Sequence, residues 1–146
     1  MSELPPLLRD QRKIDADHLK LLATFHFVGA GLTLLGLLFL IGHYAIFNAV
    51  FSNPKMWANQ KQFQPPAEFF AMLKWFYLAG GVWFVASGIL NLISGLCIRA
   101  KRNRTFSMVV AGINCLHLPL GTVLGVFTII VLLRDSVREL YEGDAR

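Results

Sequence analysis

The sequence predicts an all-α integral membrane protein with four membrane segments, two long helices followed by a shorter C-terminal hairpin, and a short cytoplasmic interfacial helix. Three observations predict it. The 146 residues are 55% hydrophobic and only 16% charged, with a mean hydropathy of +0.52, which is too apolar for a water-soluble domain of this size. The apolar residues lie in three blocks of about thirty rather than in amphipathic periods, as expected when lipid is the solvent. The lysines and arginines cluster at the ends of those blocks, where they set orientation by collecting on the cytoplasmic side. The expected organisation is a cytoplasmic lead-in over 1–18, one membrane domain over 19–134 and a cytoplasmic tail over 135–146. Helices are expected at about 19–51, 67–98, 105–118 and 120–134.

Residues 1–14 carry Pro5-Pro6 and mixed charges and read as a loosely held lead-in. Asp15 or Asp17 suits the N-cap of the first helix, where a carboxylate meets the positive end of the dipole. The apolar run that follows is far longer than a signal core of about 7 to 15 residues, so it is expected to stay as an anchor. At about 100° per residue, His26, Gly29, Thr33, Gly36 and His43 share one narrow face. A face this small and polar should meet other helices, because glycine permits close approach and polar groups are costly in lipid.

Residues 52–66, with Pro54, Trp57 and Pro65-Pro66, read as an extracytoplasmic loop with an interfacial tryptophan. The second helix begins after the prolines, with Glu68 in its first turn. Phe69, Phe70, Trp75, Phe76 and Tyr77 crowd its outer end as an aromatic belt, and Lys74 snorkels among them. Further in, Gly80, Ser87, Asn91 and Ser94 form a second packing face. Arg99, Lys101, Arg102 and Arg104 make a basic turn suited to anionic lipid headgroups.

The run from Thr105 to Leu133 admits two readings. As one helix of about 43 Å it would be a third, Pro119-kinked crossing. Ser107, Asn114, Gly121 and Thr128 recur every seventh residue and would give it one polar seam. As a hairpin it turns near Pro119-Leu120-Gly121-Thr122 and returns Arg134, Arg138 and Arg146 to the side of the earlier basic clusters. In the single crossing proline removes a hydrogen bond and clashes with the Cys115 carbonyl, which must find another partner. Beyond Leu133, Val137, Leu140 and Tyr141 repeat at helical spacing, with Arg138 and Glu142 as an i,i+4 pair and Gly143 as a stop.

The pattern P-x-G-T-x-L-G-x-x-T over residues 119–128, followed by an apolar run and a charged tail from Arg134, resembles the C-terminal signature of a broad group of uncharacterised small bacterial membrane proteins. His18 to Leu22 and Phe25 to Val28 are similar to the N-terminal part of some members. The resemblance covers about a third of the chain and implies that the proline-glycine element turns between the last two of four helices. It also implies a bacterial inner membrane, multi-pass, with both termini cytoplasmic, and no particular activity.

Candidate chemistry is sparse. No metal-ligand cluster, phosphate loop or nucleophile constellation stands out, and Glu68 is the only acid between Asp17 and Asp135, so no enzyme and no cofactor is expected. The basic residues flank membrane segments, which excludes a nucleic-acid partner and leaves the bilayer, a homo-oligomer or a larger membrane complex. Helix packing, or the lining of a pore in an oligomer, would fall to His26, Gly29, Thr33, Gly36, Ser87, Asn91, Ser94, Asn114, His117, Gly121 and Gly125. The leading expectation is a non-enzymatic structural or accessory component that acts by helix packing. A homo-oligomeric channel subunit comes second, and a haem-binding subunit using His26 and His117 third.

Overall fold

The computed structural model describes residues 6–51, 53, 66–117 and 119–143. Among them are five helices and no strand: α1 Pro6–Phe51, α2 Ala67–Arg99, α3 Arg104–Asn114, α4 Leu120–Leu132 and α5 Asp135–Gly143. Two of these are long and apolar enough to cross a membrane, over Asp10–Phe51 and Glu68–Arg99. The expected loop over 52–66 and its Trp57 lie outside the described residues, apart from Asn53 and Pro66, as do residues 1–5 and 144–146.

The chain divides into two compact units, one of residues 1–30 with 89–146 and the other of residues 31–88. In the first unit the core is Leu19, Leu22 and Ala23 of α1, Ile98 of α2, Val131 and Leu132 of α4, and Val137 and Tyr141 of α5. In the second unit α1 and α2 pack through glycines. A Cβ on Gly36 would meet the Phe84 ring at 2.6 Å, and one on Gly88 would meet Thr33 Oγ1 at 2.8 Å. Much of the remaining surface of that unit is apolar, with Phe39, Trp75 and Phe76 each at least 70% exposed, as lipid-facing residues are.

The first helix starts three turns earlier than expected. Asp15 is a mid-helix residue and not a cap, and its carboxylate accepts from Gln11 Nε2 at 3.3 Å, from Arg134 at 2.9 Å and from the Ser136 hydroxyl. A fully buried carboxylate is stable only when donors surround it, and α5 and the turn before it bring one each, Ser136 and Arg134. At 46 residues α1 is about 69 Å long, more than twice a hydrocarbon core of about 30 Å.

At the end of α2 the chain reverses through two left-handed residues, Lys101 at φ 48° and Asn103 at φ 50°. The Lys101 amide donates to Ile98 and the Arg102 amide to Cys97, which satisfies the last carbonyls of α2 in a Schellman motif. Glycine is the usual residue at the first of these positions. Asparagine tolerates the conformation at the second.

The run from Thr105 to Leu133 folds back. Arg104 Nε donates to the Leu132 carbonyl at 2.7 Å, although 28 residues separate them and an unbroken helix would hold them about 42 Å apart. A Cβ on Gly125 would run into the Ala111 carbonyl and the Cys115 amide, which puts the backbones of α3 and α4 in direct contact. The Pro119-kinked single helix is therefore excluded. The carbonyl of Cys115 that proline deprives of its bond accepts from Thr122 Oγ1 at 2.9 Å. The seven-residue seam survives as the inner face of the hairpin, where Ser107, Asn114 and Thr128 are buried.

The apolar face of α5 is not free to lie on lipid. Val137 and Tyr141 pack into the core of the first unit, with Leu140 against it. Arg138 and Glu142 form the expected ion pair at 3.0 Å, and the helix ends at Gly143. Burial first, and the neighbouring Cys97 second, push the Tyr141 phenol up to about 12 against the opposing charge of Arg104.

Candidate functional site

The densest buried polar cluster lies inside the first unit, where α1, α2, α3 and α4 each contribute one side chain. Asn91 and Asn114 face each other as a reciprocal amide pair. Asn91 Nδ2 donates to Asn114 Oδ1 at 3.0 Å, and Asn114 Nδ2 donates back to Asn91 Oδ1 at 2.7 Å. His26 Nδ1 lies 3.0 Å from the same Asn91 oxygen. A carbonyl oxygen only accepts, so the imidazole carries its proton on Nδ1. Its other nitrogen, Nε2, faces Thr128 Oγ1 at 3.3 Å, and the threonine hydroxyl donates to the Leu124 carbonyl at 2.7 Å.

Each position has a local cause. His26 is one turn along α1 from Leu22, so it enters the core on the same face. Gly29 lies one turn further, and a Cβ there would touch Asn91 Oδ1 at an ordinary contact distance of 3.6 Å. Gly95 brings α2 against α1, since a Cβ on it would meet the Ala23 carbonyl at 3.2 Å as well as the Phe27 ring. Gly121 performs the same task at the hairpin turn, with the Asn114 carbonyl 2.6 Å from where its Cβ would be. Such close backbone approach is what allows short amide and hydroxyl side chains to reach across helices.

The structure thus brings His26, Gly29, Asn91, Asn114, Gly121 and Gly125 together in one unit. Ser94 is buried in the same unit and its hydroxyl finds no partner among the described residues, as is true of Ser107 and Tyr141. His117 is half-buried at the hairpin break, one turn before Gly121, and does not join His26. Thr33, Gly36 and Ser87 belong to the second unit instead. Of the cations assigned to headgroups, Arg99 and Arg102 are exposed and Lys101 is half-buried. Arg104 is half-buried, and its Nε donates to the C-terminal carbonyl of Leu132, which closes that helix end.

Sequence reasoning missed two things. Thr128 belongs to the His26 cluster, and its place in the seven-residue seam was the available signal. The second is the charged clasp between the start of α1 and α5, where Asp15 meets Arg134 and Arg12 meets Glu139 at 2.8 Å. It joins residues 119 and 127 positions apart, and no local pattern announces that.

His26 Nδ1 is committed to Asn91, while Nε2 faces the Thr128 oxygen, whose proton goes to Leu124. Asn91 and Asn114 point at each other, and Thr128 points at His26 and at the Leu124 carbonyl. No group of three or more His, Cys, Asp or Glu that would hold a metal ion occurs among the described residues. Comparison with protein-family models, with curated proteins and with solved structures finds no match.

Proposed function

We propose that this chain is a non-enzymatic integral membrane protein, a structural or accessory component that works through helix packing with a larger membrane assembly. The observation that carries this reading is the direction of its polar groups. The side chains of His26, Asn91, Asn114 and Thr128 in the first unit are directed at one another, while large apolar residues such as Leu35, Phe39 and Trp75 of the second are exposed. Such a protein offers neighbours shape and apolar area rather than a reactive centre.

In this reading α1 and α2 cross the bilayer. The hairpin of α3 and α4, with arms of about 16 and 20 Å against a core of about 30 Å, enters it without reaching the far side. The basic residues at Arg12, Lys13, Lys20, Arg99–Arg104 and Arg134–Arg138 then share one face, which the positive-inside tendency makes cytoplasmic. The resemblance of residues 119–128 to small bacterial membrane proteins supports a bacterial inner membrane.

Mild-detergent extraction from native membranes followed by identification of co-purifying proteins tests the role. A stable stoichiometric partner is expected, and liposome ion flux that disappears with Asn114→Leu would overturn it in favour of a channel. A periplasm-active reporter fused after Arg146 that gives signal would overturn the orientation.

A further inference from the structure

The second unit contains a feature that helix packing does not use. Between α1 and α2, on the ends nearest the 52–66 connection, runs an open groove of about 440 Å³, within the size range of ligand sites. Its walls are Leu37, Leu40 and Ile41 from α1 and Leu78 and Trp75 from α2, with Gly81 in its floor. A Cβ on Gly81 would come no nearer than 4.0 Å to Leu37, so the missing side chain leaves real space. From Leu37 to Tyr44 the groove is about 10 Å long, against about 15 Å for one leaflet of the hydrocarbon core.

At its polar end stand Tyr44, Tyr77 and Lys74. The Tyr77 hydroxyl is already engaged by His43 Nδ1. Lys74 is exposed and makes no ion pair with any described residue. Glu68, the only other described charged residue of this unit, is six positions away and on another face of α2. An unpaired ammonium on an apolar helix is costly and calls for an anion. Lys74 and Tyr44 also border a second groove, where Asn48 lies among Phe47, Phe51 and Phe70 and so adds an amide beside the cation.

We infer that this groove is a binding site for one anionic phospholipid, with an acyl chain along Leu37, Leu40 and Gly81 and its phosphodiester at Lys74. The inference rests on α1 and α2 being membrane spans. It places an anion-selective lipid site at the end of the helices opposite to the basic Arg99–Arg104 turn.

Trp75 in the groove wall provides the readout. A W57F/W83F variant retains it as the sole tryptophan, and dibrominated lipids quench indole on contact. In phosphatidylcholine vesicles, dibromo-phosphatidylglycerol should quench Trp75 at about one fifth of the mole fraction that dibromo-phosphatidylcholine requires, the factor expected for one cation near a headgroup. Lys74→Gln should bring the two lipids to parity and Lys74→Arg should keep the preference, while Gly81→Leu should weaken quenching by both. Equal quenching in the starting protein, or a preference that survives Lys74→Gln, would overturn the site and leave the spans intact. Absence of quenching by either lipid would overturn both the site and the membrane reading.

Discussion

The two units share the helices α1 and α2, to which the first adds α3, α4 and α5, and they hold together differently. In the first, glycines bring backbone against backbone: the atoms facing Gly95, Gly121 and Gly125 include the carbonyl oxygens of Ala23, Asn114 and Ala111. In the second, Gly36, Gly80, Gly81 and Gly88 face only side chains, those of Phe84, Leu40, Leu37 and Thr33. The first unit buries an amide pair, an imidazole and a carboxylate, and the second buries the Ser87 hydroxyl, while its His43–Tyr77 contact is exposed. A helix pair with lipid on most sides can adjust by rotating side chains; a packed four-helix region with its backbones in contact cannot. One unit is therefore a rigid scaffold, and the other is an adaptable surface.

The sharpest way to break this contrast is a matched pair of glycine substitutions. Gly125→Ala pushes a methyl into backbone atoms that cannot move without opening the hairpin, and it should lower stability by about 3 kcal/mol in a detergent melt. Gly88→Ala meets only the Thr33 hydroxyl, which can rotate, and the helix propensity gained, about 1 kcal/mol, should bring the net close to zero. Equal losses in the two variants would erase the distinction between the units.

Next in size is the amide pair. Asn91→Leu leaves His26 and Asn114 buried without their partner, at a cost of about 1 to 3 kcal/mol. Adding Asn114→Leu should recover part of that loss, because the second substitution removes an orphaned amide. A double-mutant cycle with no coupling would show that the pair holds nothing together.

The clasp at the start of α1 adds a pH dependence to the first unit. Burial alone would raise the Asp15 carboxyl, but hydrogen bonds from Ser136, Arg134 and Gln11 and the charge of Arg134 outweigh it and hold the group below its ordinary value. A depressed carboxylate contributes stability that is complete above the unfolded pKa and is lost as pH falls through the folded one. Acid should therefore release α5 from α1 first, visible as lower hydrogen-exchange protection factors over residues 135–143 once intrinsic rates are divided out. Asp15→Asn should flatten the pH dependence of those protection factors.

The smallest effect belongs to the second unit. Tyr77→Phe removes an exposed hydrogen bond to His43 and should cost about 0.5 kcal/mol, with the groove beside it keeping its lipid preference.

Solvent, periodicity and local chemistry were all legible in the residues. Hydropathy places lipid around α1 and α2, and 100° spacing puts His26 with Gly29 and Asn91 with Ser94 on inward faces. The proline rule shows that the Cys115 carbonyl needs a new donor, which Thr122 supplies. These features depend on neighbours a few positions apart, and a chain carries that information along its length. What the tertiary structure alone decided involves residues far apart: the fold-back that sets Arg104 against Leu132, the addition of Thr128 to His26, and the docking of α5 on the start of α1. A seam repeating every seven residues is equally polar in one straight helix or two antiparallel ones. Only the close approach of Gly125 to Ala111 makes it the inside of a hairpin.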